Sequence, residues 1–176
     1  MNSVPFTSFP GLELQPAFSP DGRQMAFSWD GEDGVNSHIY VKLLELGAPL
    51  RLTSKPTDDH SPTWSPDGQQ IAFAREAPDG HEILAVPVLG GPERRLGQST
   101  ASGSMFGMDW SPDGKLLAIV DKGAPKEPNA IFLLSVATGE KRRLTPLVAR
   151  SAGDTFPAFS PGGAAVAFAR AAGTRT

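Results

Sequence analysis

The pentapeptide WSPDG occupies residues 64–68 and recurs letter for letter at 110–114, with FSPDG at 18–22 and a degraded FSPGG at 159–163. The motifs begin at Phe18, Trp64, Trp110 and Phe159, in steps of 46, 46 and 49 residues. A fixed period of about 40–50 residues marks an array of one supersecondary unit, each copy burying its apolar face against the next. The flanks repeat as well. Each motif leads into an apolar alternation: Met25-Ala26-Phe27, Ile71-Ala72-Phe73, Leu117-Ala118-Ile119 and Val166-Ala167-Phe168. A second apolar run follows at 39–41, 83–86 and 131–134, and the units close on Arg51-Leu52-Thr53, Arg95-Leu96-Gly97 and Arg143-Leu144-Thr145. Each unit therefore reads as four short strands.

The motif itself is turn chemistry. Pro20, Pro66 and Pro112 bring φ near −65° to the first central position of a type I turn. Asp21, Asp67 and Asp113 follow, and Gly22, Gly68 and Gly114 take the left-handed position that completes a short hairpin loop. The preceding aromatic ends one strand and is placed to pack between neighbouring sheets. The run IYVKLLEL at 39–46 could form a helical face, but its counterparts decide against it: EILAVPV at 82–88 contains Pro87, and AIFLLSV at 130–136 is rich in strand formers.

Composition narrows the possibilities further. With 19 Gly and 17 Pro in 176 residues, long helices are disfavoured, while 39% apolar residues suffice for a core. The formal charge of −3, from 16 basic and 19 acidic residues spread along the chain, gives no electrostatic case for nucleic acid. Without cysteine there is no disulfide, thiolate metal site or cysteine nucleophile. MNSVPFTSFPG has no basic-then-apolar leader pattern, and no stretch has the roughly 18 apolar residues of a membrane span, so the chain as written is expected to be soluble, not exported and without membrane contact of its own.

Four-stranded units at this period are β-propeller blades. The aromatic-Ser-Pro-Asp-Gly corner, the x-x-Ile-Ala-Phe strand and the terminal Arg-Leu-Thr resemble the WD-like propeller repeats of the TolB type. LELQPAFSPDGRQMAFSWDGE, IYVKLLELGAPLRLT and GGPERRL also look like the propeller sensor regions of large bacterial membrane proteins that carry a kinase or winged-helix domain. The resemblance implies an all-β fold, a protein or peptide partner, and a periplasmic or membrane-anchored parent. The expected layout is an outer strand of a preceding blade at 4–9, complete blades at 11–53, 59–97 and 105–145, and two inner strands of an incomplete blade at 154–170. Since propellers close with about 4–8 blades, the chain is expected to be a fragment, a truncated product or half of an assembled ring, with open blade faces available for self-association.

Catalytic patterns are missing from the sequence. There is no G-x-S-x-G elbow, and His38, His60 and His81 are scattered over two repeats. Asp30, Glu32 and Asp33 cluster without EF-hand spacing, and residues 114–118 lack the phosphate-loop pattern, so neither metal nor cofactor is expected. The pairs Arg94-Arg95 and Arg142-Arg143 fall on outer strands, where charge guards an edge. One constellation remains. The residue six before each motif serine is Glu13, Asp59, Met105 and Asp154, acidic in three units of four. On the connection into the innermost strand, these carboxylates, with His60 beside Asp59, would line a channel mouth and attract a cationic ligand or a basic segment of a partner. The reading is a non-enzymatic interaction module. Its alternatives are the substrate-gating propeller of a prolyl-oligopeptidase-type peptidase and the sensor region of a kinase or transcriptional regulator.

Overall fold

A computed structural model describes residues 6–45, 47–101, 107–148 and 151–172. Among them are fourteen β-strands and no helix. The first blade is β1 (Glu13–Phe18), β2 (Gln24–Trp29), β3 (His38–Leu43) and β4 (Leu50–Arg51); the second is β5 (Asp59–Trp64), β6 (Gln70–Ala77), β7 (Gly80–Pro87) and β8 (Arg94–Ser99). The third is β9 (Met108–Trp110), β10 (Leu116–Asp121), β11 (Ala130–Ser135) and β12 (Lys141–Arg143), and β13 (Ser151–Phe159) with β14 (Val166–Ala172) forms a two-stranded fourth unit. Every pairing is antiparallel between consecutive strands, so each sheet is a meander. The first strands of successive units, β1, β5, β9 and β13, lie against one another and form the inner wall of the array.

Each corner is built as the motif requires. The glycine N–H closes the turn on the serine carbonyl at 2.8–2.9 Å in all four copies, with the glycine at φ between +68° and +73°. The serine has a further role that the turn pattern alone does not reveal. Its buried Oγ donates to the aspartate two residues on, at 2.5–2.6 Å for Asp21, Asp67 and Asp113, and accepts the N–H that opens the next strand, at 2.9 Å from Gln24, Gln70 and Leu116. The same aspartate oxygen also accepts the N–H of Arg23, Gln69 or Lys115.

Alternation along the second strand sorts large from small side chains. Ile71 and Phe73 point back to the first blade and join Ala26, Ile39 and Val41 in one core, whereas Ala72 and Ala74 point forward and join Leu117, Ile119 and the rest of the third blade. Trp64 and Trp110 are buried between sheets, and the Trp64 indole donates to Ala17 O of the preceding blade at 3.0 Å. Phe18 departs from this pattern at 63% exposed, because it lies on the face of the first blade that no described blade covers. Phe27 and Tyr40 on that face pack with Trp29 and Phe9. Phe73 and Ile119 are buried between blades, Phe27 is buried under Trp29, Tyr40 and Phe9 on the uncovered face, and Phe168 on the two-stranded unit is 37% exposed.

The segment expected as an outer strand at 4–9 differs from that expectation. Residues 4 and 5 lie outside the described residues, and 6–9 run without strand pairing, held instead by Phe9 against Trp29 and by a Thr7 hydroxyl donating to Glu13. Arg94, Arg95, Arg142 and Arg143 do stand on the fourth, outer strands, β8 and β12.

Candidate functional site

Glu13, Asp59 and Asp154 occupy equivalent register positions near the start of innermost strands, opposite Trp29, Arg75 and Arg170 respectively. Met105, the fourth position, lies outside the described residues. The expected accessible ring of carboxylates is not what the structure shows. Asp59 is 0% exposed and its two oxygens are bridged by Arg75, Nε at 2.7 Å and Nη2 at 2.9 Å. Asp154 is 3% exposed and bridged in the same way by Arg170, at 2.6 and 2.8 Å.

A third partner makes these pairs junctions between blades. The hydroxyl of Thr53, which closes the first blade, reaches Asp59 of the second, and Thr145 of the third blade reaches Asp154 of the fourth unit. The same two hydroxyl oxygens accept the N–H of Ile39 at 3.0 Å and Ile131 at 2.9 Å. Thr7 on Glu13 reproduces the contact ahead of the first blade, with Trp29 standing where the arginine would be. Arg75 extends the network by a second two-pronged contact, to Glu93 at 2.5 and 2.8 Å. Burial pushes the Asp59 carboxyl above its ordinary range against the pull of Arg75 and Thr53. It acts in the same sense on Asp154, but Arg170 and Thr145 outweigh it and hold that carboxyl low.

The junction between the second and third blades inverts the pattern. Gly97 replaces the threonine, and the position of the arginine is taken by a carboxylate, Asp121. Asp121 accepts Thr100 N at 2.7 Å, Thr100 Oγ1 at 3.0 Å and Lys122 N at 2.8 Å, and is ion-paired with Lys141 of the outer strand. The Asp59 and Asp154 junctions do have a sequence signal: an arginine sixteen residues after the aspartate, and a threonine six or nine before it.

Beside these junctions, the innermost strands line a cleft of about 350 Å³, its wall made by Gln15, Ser61, Thr63, Gly107, Asp109 and Phe156 with prolines 16, 62 and 157. Gln15, Ser61 and Phe156 share one repeat position, four before the motif serine, and each has φ of +52° to +54° directly before a proline. Such a conformation costs a non-glycine residue about 1–3 kcal/mol and persists where the surroundings enforce it. Each falls in an irregularity of the innermost strand, between Leu14 and Ala17, His60 and Thr63, and Thr155 and Ala158. Ser61 N–H donates across the cleft to Gln15 Oε1 at 2.7 Å, and Asp109 Oδ2 accepts Phe159 N at 2.6 Å. Burial raises the Asp109 carboxyl, against backbone hydrogen bonds from Phe159 and Trp110 that lower it. His60, expected at the rim, is instead buried just behind the cleft wall.

The profile of the TolB beta propeller domain matches residues 2–176. The chain belongs to that family. A search of curated proteins by sequence returned no match. Among solved structures, TolB from Acinetobacter baumannii superposes with a TM-score of 0.71 at 29% identity, over 92% of this chain and 38% of that one. A putative TolB from Agrobacterium tumefaciens gives 0.73 and 29%, over 92% and 56%. This TolB-type chain thus spans less than two thirds of either protein. A prolyl endopeptidase structure superposes at 0.66 with 14% identity, over 93% of this chain and 27% of that one, a likeness of fold alone.

Proposed function

We propose that this TolB-type propeller segment is a non-enzymatic interaction module that receives a segment of a protein or peptide partner in the cleft between its innermost strands. The observation that carries the reading is the threefold recurrence of a pre-proline residue at positive φ, each copy facing the same cleft. Strain repeated at equivalent positions and aimed at one cavity is more economically explained by that cavity's use than by packing, since a glycine would relieve it. On this reading Asp59 and Asp154 do not contact the partner. They fix the blades whose inner strands make the wall, and Glu13 does the same with Thr7. His60 supports Ser61 from behind. The reading extends to self-association through the outward face of the first blade, where Phe18 is exposed.

Selection of peptides from a random display library against the 176-residue chain tests this. The selected peptides should lose about tenfold or more in affinity on Thr63→Trp, which fills the cleft, and on Phe156→Ala, a loss of more than ~1.4 kcal/mol. Leu89→Ser, on an exposed outer hairpin, should change nothing. Equal binding to all three variants would refute the cleft as the site.

A further inference from the structure

His60 and His81 stand edge to face, 4.9 Å between ring centres and perpendicular, each more than nine-tenths buried. They come from β5 and β7 and reach in two directions. His60 Nδ1 lies 3.2 Å from Ser61 Oγ. Ser61 is a residue of the cleft wall, and its N–H spans to Gln15 of the first blade. On the other side, His81 hydrogen-bonds the backbone of Ala101 and pairs in register with Ser99. Gly80 precedes it at φ +132°, and a Cβ there would collide with the backbone of Ser99 and Thr100. The segment Ser99–Ala101, which leaves the second blade for the third, is therefore pressed against the imidazole pair on one flank and anchored to Asp121 on the other.

We propose that the His60–His81 pair is an acid-sensitive catch on the axial cleft: when either ring takes up a proton, the pair separates and frees both Ser61 and the Ser99–Ala101 connection. The part that concerns ligand binding rests on the cleft being the binding site. The opening itself does not.

The chemistry is that of hydrogen-bond complementarity in a dry site. A neutral imidazole offers one donor and one acceptor, whereas an imidazolium offers two donors and a charge. Burial and then the neighbouring His81 hold His60 down to about 4, and burial holds His81 below its ordinary value. Between about pH 6.5 and 4 the closed arrangement therefore refuses protons that an opened, solvated one accepts, and falling pH favours opening. Charges on the surrounding elements only partly offset this. Asp58 favours the charged form of His60, and Glu76 stands opposite His81 in register. Asp59, Arg75 and Glu93 are engaged with one another, and Asp121, followed by Lys122, is ion-paired with Lys141.

Amide hydrogen exchange on the 176-residue chain, corrected for intrinsic pH dependence, reads the catch without any ligand. The amides of Ser61 and Ala101, bonded to Gln15 Oε1 and Ser99 Oγ respectively, should lose about tenfold in protection between pH 7 and 5 relative to core amides at Ile83–Val86. The double change His60→Phe with His81→Phe keeps both aromatic rings but leaves nothing to protonate, and should abolish that loss. An equal loss in wild type and variant, or none in wild type, overturns the proposal. Should the variant fail to fold, proton NMR titration of the wild-type chain decides: a His60 ring titrating near 6.5 within the folded state would also overturn it. Peptides that ignore the cleft while exchange still responds to pH would sink the binding-site reading and leave the catch standing.

Discussion

Serine at the second position of the first three corners is both donor to the aspartate and acceptor for the strand that follows, and it is buried while the aspartate is exposed. Ser65→Ala should therefore cost about 1–2 kcal/mol in denaturant unfolding, the usual loss when a buried hydrogen-bonding group leaves a partner unsatisfied. Ser160→Ala should cost less. In FSPGG the aspartate is replaced by Gly162, and Ser160 Oγ retains only the N–H of Ala165, at 3.1 Å. Arg75 is a residue of the opposite kind, inconspicuous in the repeat yet central to a junction. Arg75→Ala leaves the Asp59 carboxylate buried without its counter-charge and should cost about 3–5 kcal/mol, whereas the double change Asp59→Asn with Arg75→Met should be far milder. If the double variant is as unstable as the single one, the lost arginine packing dominates and the ion pair is not the cause.

At the scale of the element, two glycines separate conformational strain from close approach. Gly68, at φ +69°, has only Pro20 Cδ at 3.9 Å from where a Cβ would sit, so Gly68→Ala should cost about 1 kcal/mol for the left-handed backbone alone. Gly80→Ala adds a collision with the backbone of Ser99 and Thr100, and its unfolding midpoint should fall well below that of Gly68→Ala. Corners and strand order were legible in the sequence because turn residues and two-residue alternation are local patterns. The junctions were not, because Thr53, Asp59 and Arg75 meet only when a hairpin and two blades come together. The acidic position was visible, but its arginine lies sixteen residues on, and the third unit breaks the rule with Met105, Asp121 and Gly97. The positive-φ residues were likewise hidden: Gln15, Ser61 and Phe156 share no side-chain type, and the repeated signal was the proline after each of them.

Across the whole molecule, burial holds all three histidines below their ordinary values, with Arg51 adding to the effect at His38 and His81 at His60. A ring that resists protonation when folded contributes stability that is present above about pH 6.5 and lost as pH falls towards its folded value. For His60, at about 4, that is up to about 3 kcal/mol. Glu93, Asp121 and Asp154 are held low and act in the same sense at lower pH, while Asp59, pushed up, acts in the opposite sense. Denaturant midpoints should therefore fall steadily from pH 7 to 4, and His60→Phe should flatten the upper part of that fall; an unchanged slope would place the loss elsewhere. Sedimentation should show mass rising with concentration, reduced by Phe18→Ser on the uncovered face, and a strictly monomeric chain would argue against pairing there. The identical pentapeptides at 64–68 and 110–114 have a genetic consequence as well. Unequal crossing-over between them removes or duplicates 46 residues in frame and regenerates an intact corner at the seam, with a bulky flank still meeting an alanine flank on either side. Removal of the 46 residues also sets Asp59 opposite Asp121 where Arg75 now stands, so a change in blade number calls for a new counter-charge at that junction.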